Sequence, residues 1–190
     1  MSFLSYLING ISLGSVYAII ALGYTMVYGI ARMLNFAHGD IIMVGGYAAF
    51  YAMVSGGLSP ILSVLIAMVI CTVLGLLIER IAYKPLRSAP SLAVLITAIG
   101  VSYFLQNLAL LLFGANTKTF QSVVTFGGIS LAGGQLQLTG TTIVTIAACI
   151  IIVVGLSLYI NKTRTGQAML AVSEDRGAAQ LMGINVNTTI

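Results

Sequence analysis

Charged residues are scarce in this chain. Among 190 residues there are 8 Lys and Arg, 4 Asp and Glu and 1 His, so 6% of the chain is charged, whereas soluble domains average about a quarter. The net charge of +4 is not concentrated in a dense basic cluster, which argues against a nucleic-acid partner. Hydrophobic residues make up 59%, and several apolar runs reach the ~20 residues that cross a bilayer. We therefore predict a multi-span integral membrane protein.

Residues that support chemistry are also few. Cys71 and Cys149 lie within apolar runs, without metal-ligand spacing, and are interpreted as packed free thiols. No Walker-type Gly-x4-Gly-Lys-Ser/Thr motif occurs, so nucleotide binding of that kind is excluded. A minor alternative is an intramembrane enzyme, in which His38 and Asp40 would form an acid–base pair. We predict no catalytic residue, no metal and no cofactor.

Five apolar segments predict an all-α polytopic bundle. The segments are 3–30, 34–54, 60–78, 92–113 and 142–160. The first has no Lys or Arg before Arg32 and no cleavage site, so we interpret it as a span and not a signal peptide. The long loop 114–140 alternates weakly around 123–138, which indicates a small hairpin.

The basic residues predict an orientation. Arg32, the loop 79–91 and the tail (residues 161–190) hold seven of them, and Lys118 stands alone in the loop 114–140. Because basic residues favour the cytoplasmic side, we expect the loop 79–91 and the tail inside the cell membrane and the loop 114–140 outside. Counting five spans then places the N-terminus outside.

The first segment carries a stripe of small residues along one face. Small residues let helix backbones approach closely in lipid, and Tyr17, Tyr24 and Tyr28 follow the edge of the stripe. This face is expected either to pack in a bundle or to line a translocation path. Plain helix packing is favoured over a ligand role for the tyrosines.

The stretch Asn-Phe-Ala-His-Gly-Asp, residues 35–40, is unexpectedly polar. Residues 41–54 alone would extend roughly 21 Å, short of the ~30 Å hydrocarbon core. Starting the segment at Leu34 gives enough length and places Asn35, His38 and Asp40 at the inner membrane zone. Such groups should face protein or water, and Gly39 permits a helix break. We favour a structural role at that break over contact with a substrate.

The tail changes from apolar to polar and predicts a short cytoplasmic amphipathic helix, about residues 174–182. Ser173 is the expected N-cap, with Glu174 and Asp175 in the first turn and Gly183 just beyond the end. Ala178, Leu181 and Met182 give an apolar side. A helix that docks a partner is favoured over one resting on lipid.

Two motifs resemble a known family. Gly177-Ala178-Ala179-x-x-x-Gly183 resembles the Glu-Ala-Ala-x-x-x-Gly coupling loop of ABC importer permeases, with Gly177 in place of the usual Glu. The spacing of Asp175, Ala179 and Gly183-Ile184-Asn185, together with residues 10–40, resembles the branched-chain amino acid permease family, in particular the first of its two paired permeases.

The resemblance implies a multi-pass inner-membrane transport subunit that is not an enzyme. It implies two permease chains forming the path, two cytoplasmic ABC ATPase subunits and an extracytoplasmic binding protein that delivers leucine, isoleucine or valine. Family permeases continue for several spans after the coupling loop, so we expect a C-terminally truncated chain. The alternatives are a permease for urea or short amides, an ATP-independent secondary transporter or channel, a purely structural subunit and an inactive fragment.

The expected site residues form two groups. The ATPase-coupling group consists of Glu174, Asp175, Gly177, Ala178, Ala179, Leu181 and Gly183. The group expected at the translocation path or helix break consists of Tyr17, Tyr24, Asn35, His38, Gly39 and Asp40.

Overall fold

The computed structural model describes residues 2–87, 89–119, 124, 129–131 and 136–189. The described chain is helical apart from one short hairpin. Its helices are α1 Ser2–Ala31, α2 His38–Val54, α3 Pro60–Ile78, α4 Ser91–Phe113, α5 Gly140–Lys162, α6 Arg164–Glu174, α7 Arg176–Leu181 and α8 Val186–Thr189. A π-helical turn, Glu79–Tyr83, and a 3-10 turn, Lys84–Leu86, follow α3. The predicted all-α membrane fold is confirmed.

The hairpin lies within the stretch where the alternating pattern predicted one. Strand β1, Ile129–Leu131, pairs antiparallel with β2, Leu136–Leu138. Leu131 is opposite Leu136 in the register. The remainder of the predicted 123–138 hairpin, except Val124, lies outside the described residues.

Within the described residues, four helical stretches are long and apolar enough to cross a membrane: Phe3–Ala31, Pro60–Leu86, Ser91–Phe113 and Gly140–Lys162. They overlap four of the five predicted segments. Helix α1 has 30 residues, which extend about 45 Å against a hydrocarbon core of ~30 Å, so it must tilt or protrude. Helix α2 has 17 residues and extends about 25 Å. The crossing of α2, and with it the predicted side of the N-terminus, stays a prediction.

The chain divides into two compact units. The split unit comprises Met1–Arg32 and Val124–Ile190, and the central unit comprises Met33–Val123. In the split unit, α1 packs against α5 and α6, and α6 packs against α7 and α8. In the central unit, α2 packs along α3 and also contacts α4.

The core of the central unit gathers the start of α2, the end of α3 and the face of α4. Its buried members are Ala37, Ile78, Tyr83, Val94, Ala98 and Leu105. Close packing of α2 on α3 depends on Gly45, where an added Cβ would lie 2.7 Å from Cys71 Sγ. An added Cβ at the neighbouring Gly46 would meet nothing within 4 Å in the described chain, so the close approach is made at Gly45.

Three glycines of the small-residue stripe on α1 make no close contact within the described chain, and the predicted packing or path role of that face stays a prediction. An added Cβ at Gly10, Gly14 or Gly29 meets nothing within 4 Å in the part of the chain that the structure describes. Close backbone approach at these three glycines is therefore not made within the described residues. The central unit also exposes large apolar side chains: Leu111 is 83% exposed and Ile61 75%, and large exposed apolar surfaces mark contact with a membrane or another protein.

Candidate functional site

The polar stretch 35–40 is held by a side chain from the π-helical turn. The Tyr83 hydroxyl donates a hydrogen bond of 2.9 Å to Asn35 Oδ1, and Tyr83 is buried. Ala37, between Asn35 and the helix, is fully buried. Asn35 therefore joins the approach to α2 to the end of α3, which agrees with the structural role favoured for it. π-Helical turns frequently occur at functional sites.

Helix α2 begins at His38, not at Leu34 as predicted. Asn35 supplies a turn, in which its carbonyl accepts from the His38 N–H at 3.3 Å, and Ala37 precedes the helix without a side-chain cap. The chain then runs through Gly39 without interruption. The predicted helix break at Gly39 is wrong, because the change of direction is made before His38 and leaves Gly39 inside the first turn.

Asp40 forms a buried polar cluster with α4. Its carboxylate accepts from the Ser102 hydroxyl at 2.5 Å and from Gln106 Nε2 at 3.0 Å. Gln106 also donates to Ser102 Oγ at 3.2 Å, and Asp40 is 7% exposed. The Asp40 side chain therefore faces protein, as expected for a polar group in this zone, and its partners are side chains of α4.

Sequence reasoning missed Ser102 and Gln106. A signal was present, because they are polar residues four positions apart in an apolar segment, and such pairs share one face of a helix. No basic side chain among the described residues forms an ion pair with Asp40. The cluster links α2 and α4 through the neutral donors Ser102 and Gln106.

The remaining predicted path residues lie in different surroundings. Tyr17 and Tyr24 lie on α1 in the split unit, and Tyr17 is 63% exposed. His38 is half-buried at the start of α2. Glu79, an acidic residue in the π-helical turn after α3, accepts from Arg87 in a salt bridge of 2.5 Å. That pair closes the turn after α3, so Glu79 has a structural partner.

A tight corner joins α5 to α6. The Thr163 hydroxyl donates to the Tyr159 carbonyl at 2.7 Å and accepts from the Gly166 N–H at 3.0 Å, so Thr163 both ends α5 and caps α6. Gly166 is buried, and an added Cβ there would lie 2.5 Å from Ile160 Cα. Thr163 is therefore the turning residue of the corner between α5 and α6.

The predicted coupling helix is shorter than expected and begins differently. Helix α7 is capped by Asp175, whose Oδ1 accepts from the N–H groups of Gly177 at 2.8 Å and Ala178 at 3.1 Å. Ser173 is not the N-cap, since its hydroxyl donates to the Leu170 carbonyl. Glu174 is the last residue of α6. Because helix α6 extends through Glu174, Asp175 is the first residue after it that can cap α7.

The end of α7 agrees with the prediction for Gly183. Gly183 has a φ of +85°, and its N–H donates to the Gln180 carbonyl while the Ile184 N–H donates to the Ala179 carbonyl, both at 3.0 Å. This pair of bonds is a Schellman motif, which fixes where the chain leaves the helix. Both ends of α7 are therefore fixed by hydrogen bonds.

The apolar residues of α7 separate into an inward and an outward set. Ala179 is 4% exposed and packed within the split unit. Leu181 is 90% exposed and Met182 83%. The predicted apolar side is present, but Leu181 and Met182 contact little of the described chain. They form an outward pair, which we call the α7 apolar tip.

An apolar groove of about 400 Å³ lies on the split unit between α1, α5 and α6. Its lining is mainly aliphatic, with polar side chains at Thr25, Ser157, Asn161 and Ser173. None of these four residues belongs to the two groups of expected site residues. The groove is open at the surface, and Gly29 contributes to its wall.

Comparison with known proteins gives consistent matches. A family model described as "Branched-chain amino acid transport system / permease component" matches residues 6–190. The chain is 38% identical over 200 aligned positions to the high-affinity branched-chain amino acid transport system permease protein BraD of Pseudomonas aeruginosa. It is 39% identical over 201 positions to LivH, the permease protein of the same description in Escherichia coli K12.

The extent of these matches is similar in both relatives. Each alignment covers 99% of this chain and 64% of the relative, so the chain spans less than two thirds of their length. A probable branched-chain amino acid transport permease protein LivH of Methanocaldococcus jannaschii is 29% identical over 178 positions, covering 90% of this chain and 55% of that protein. No solved structure matches the chain.

Proposed function

Because the chain belongs to the branched-chain amino acid transport permease family, we propose that it forms part of the translocation path of an ABC importer for leucine, isoleucine and valine. The observation that carries this is the match of almost the whole chain to two transport permeases of that description. The chain is a membrane transport subunit and not an enzyme. The energy for transport would come from ATP hydrolysed on partner chains.

We propose four kinds of partner. They are a second permease subunit, two cytoplasmic ABC ATPases, an extracytoplasmic binding protein and the amino-acid substrate. The ATPases would dock on α7 and its apolar tip. Two features support this: α7 is fixed at both ends by Asp175 and Gly183, and Leu181 and Met182 are exposed beside it. A fixed short helix with an apolar tip suits insertion into a cleft on another protein.

Within the proposed coupling group the residues have separate tasks. Asp175 and Gly183 set the ends of α7, and the buried Ala179 packs the helix against the rest of the split unit. Gly177 and Ala178 are exposed and small, which allows a partner to approach the first turn. Glu174 adds negative charge at the end of α6. Leu181 supplies the apolar area that a docked ATPase would cover.

For the translocation path we propose a supporting role for the polar cluster. Asp40 holds α2 to α4, and Asn35 holds the approach to α2. The proposed effect is to position the helices that border the path, and a binding protein would perform most of the substrate selection. His38 and Gly39 lie in the first turn of α2, and His38 is the candidate there for direct contact with a substrate.

The function is tested by uptake of labelled leucine into proteoliposomes that hold the assembled transporter containing this chain. We expect uptake that requires ATP and the binding protein, is competed by isoleucine and valine, and is unaffected by a protonophore. Uptake of urea in place of leucine would assign the other cargo class. Uptake that continues without ATP and collapses with the protonophore would contradict the proposal. His38→Ala with unchanged uptake would remove His38 from the path.

A further inference from the structure

Arg176 crosses from the start of α7 to the end of α1. Its Nη2 donates to the carbonyls of Ala31 and, at 3.3 Å, Ile30. These are the last two residues of α1, and the last four carbonyls of a helix have no partner within it. Arg176 therefore supplies hydrogen bonds that α1 cannot make for itself.

Arg32 makes the reverse connection. It follows α1 directly, and its Nη2 donates to the Ser173 carbonyl in the last turn of α6. That carbonyl also belongs to the set without a partner in its own helix. The end of α1 is thus capped by a residue of α7, and the end of α6 is capped by the residue that follows α1. We call this pair of contacts the arginine clasp.

Electrostatics favour both halves of the clasp. A helix C-terminus carries a partial negative charge of about half an electron. The guanidinium groups of Arg32 and Arg176 therefore each place a positive charge at a helix C-terminus. Arg176 uses one nitrogen, Nη2, for both Ile30 and Ala31.

Two observations show that the clasp has a cost. Arg32 adopts a φ of 53°, a left-handed conformation that is uncommon for a residue with a side chain. Arg176 Nε is buried and makes no hydrogen bond within the described chain. Such groups ordinarily find partners, so the guanidinium is held by its Nη2 contacts in a place that leaves Nε unsatisfied.

We propose that the arginine clasp is a second mechanical link, which makes the cytoplasmic end of α1 move together with α7. The covalent chain connects α7 to α5 through α6, but it does not connect α7 to α1. With the clasp closed, an ATPase that displaces α7 also displaces α1, which borders the apolar groove. This inference rests on the proposed docking of ATPases at α7, and it assigns Arg32 and Arg176 as positioning residues.

The variants are chosen to separate this link from local stability. Arg176→Gln removes the positive charge and shortens the side chain that reaches the α1 carbonyls, and Arg176→Lys keeps the positive charge. Arg32→Gly removes the guanidinium but suits the left-handed backbone better, so a purely local role predicts no loss. Arg164→Gln is the matched control, because Arg164 is exposed in α6 and makes no hydrogen bond or ion pair within the described chain.

The direct readout is the distance between spin labels at Val27 on α1 and Gln180 on α7, in a background with Cys71→Ser and Cys149→Ala. In the assembled transporter the distance should stay constant between the nucleotide-free and ATP-bound states. In Arg176→Gln and in Arg32→Gly it should change between those states. Arg176→Lys should behave in an intermediate way, and Arg164→Gln like the parent.

The functional readout is the number of leucine molecules taken up per ATP hydrolysed. We expect a loss of at least about fivefold in Arg176→Gln and Arg32→Gly, the lower end of ordinary coupling between sites. The double variant should lose no more than the worse single variant, because both residues serve one link. ATPase subunits should remain bound in every variant.

The two readouts distinguish failure of the clasp from failure of the proposed function. If the parent hydrolyses ATP without taking up leucine, the proposed cargo is wrong. The distance between the spin labels then still tests whether the clasp couples α1 to α7. Label distances that stay constant in both arginine variants would overturn the clasp. So would independent motion of the two labels in the parent. If the transporter with Arg176→Gln does not assemble, the label distance in Arg32→Gly tests the clasp in its place.

Discussion

Gly166 provides the sharpest test of the corner between α5 and α6. An added Cβ would lie 2.5 Å from Ile160 Cα, from the Ile160 carbonyl oxygen and from the Tyr159 carbonyl oxygen. Overpacking costs about 1–3 kcal/mol. For Gly166→Ala we expect the upper end, about 3 kcal/mol lost from the free energy of unfolding, because the obstructing atoms are backbone and not a flexible side chain.

The matched control is Gly155→Ala in the middle of α5. An added Cβ there meets nothing within 4 Å, and alanine has a higher helix propensity than glycine by about 1 kcal/mol. The same chemical change should therefore stabilise at Gly155 and destabilise at Gly166. A thermal shift of about 2–4 °C per kcal/mol gives a fall of about 6–12 °C for Gly166→Ala.

The assay uses a cysteine of the chain itself. Cys149 is buried in α5, so a thiol-reactive dye should label it as the protein unfolds on heating in detergent. We expect labelling of Gly166→Ala at a lower temperature than the parent, and labelling of Gly155→Ala at the parent temperature or above. Equal transitions for the two variants would refute the claim that the corner requires a residue without a side chain.

Two further predictions concern single contacts. Asp40→Ala removes the carboxylate that accepts from Ser102 and Gln106, and it should lower the free energy of unfolding by about 1–3 kcal/mol. Asp40→Asn keeps a carbonyl acceptor and should lower it by less. Equal losses for the two variants in the same thermal assay would contradict the cluster. Gly183→Pro removes the N–H that caps α7 and forbids its positive φ, so ATPase co-purification should be lost. Gly183→Asn should retain it, and retention by both variants would contradict the capping argument.

The parts of the fold that sequence predicted are those that depend on local chemistry. The four long apolar helices follow from the length of their hydrophobic runs. The position of Gly183 follows from the left-handed turn at a helix end, which glycine adopts without strain. The hairpin strands follow from weak alternation. Each of these signals lies within about twenty neighbouring residues.

The features that the sequence did not predict depend on contacts between residues far apart in the chain. Ser173 and Asp175 are both good N-caps, and which one acts depends on α6 continuing to Glu174. Asp40 meets Ser102 across 62 positions, and Arg176 meets Ala31 across 145. No periodic pattern records such pairings, because they arise from tertiary packing and not from local propensity.

The central claim is that α7 and its apolar tip dock the ATPases that drive import. Ala179 is buried, so Ala179→Arg would act by displacing α7, whereas Leu181 is 90% exposed and Leu181→Asp changes the tip alone. Thr188→Asp, exposed in α8, is the matched control with the same added charge. The decisive measurement is co-purification of the ATPase subunits with each variant from membranes that contain equal amounts of the chain. We predict that Leu181→Asp and Ala179→Arg lose the ATPases and Thr188→Asp keeps them; undiminished ATPase with Leu181→Asp would contradict the account.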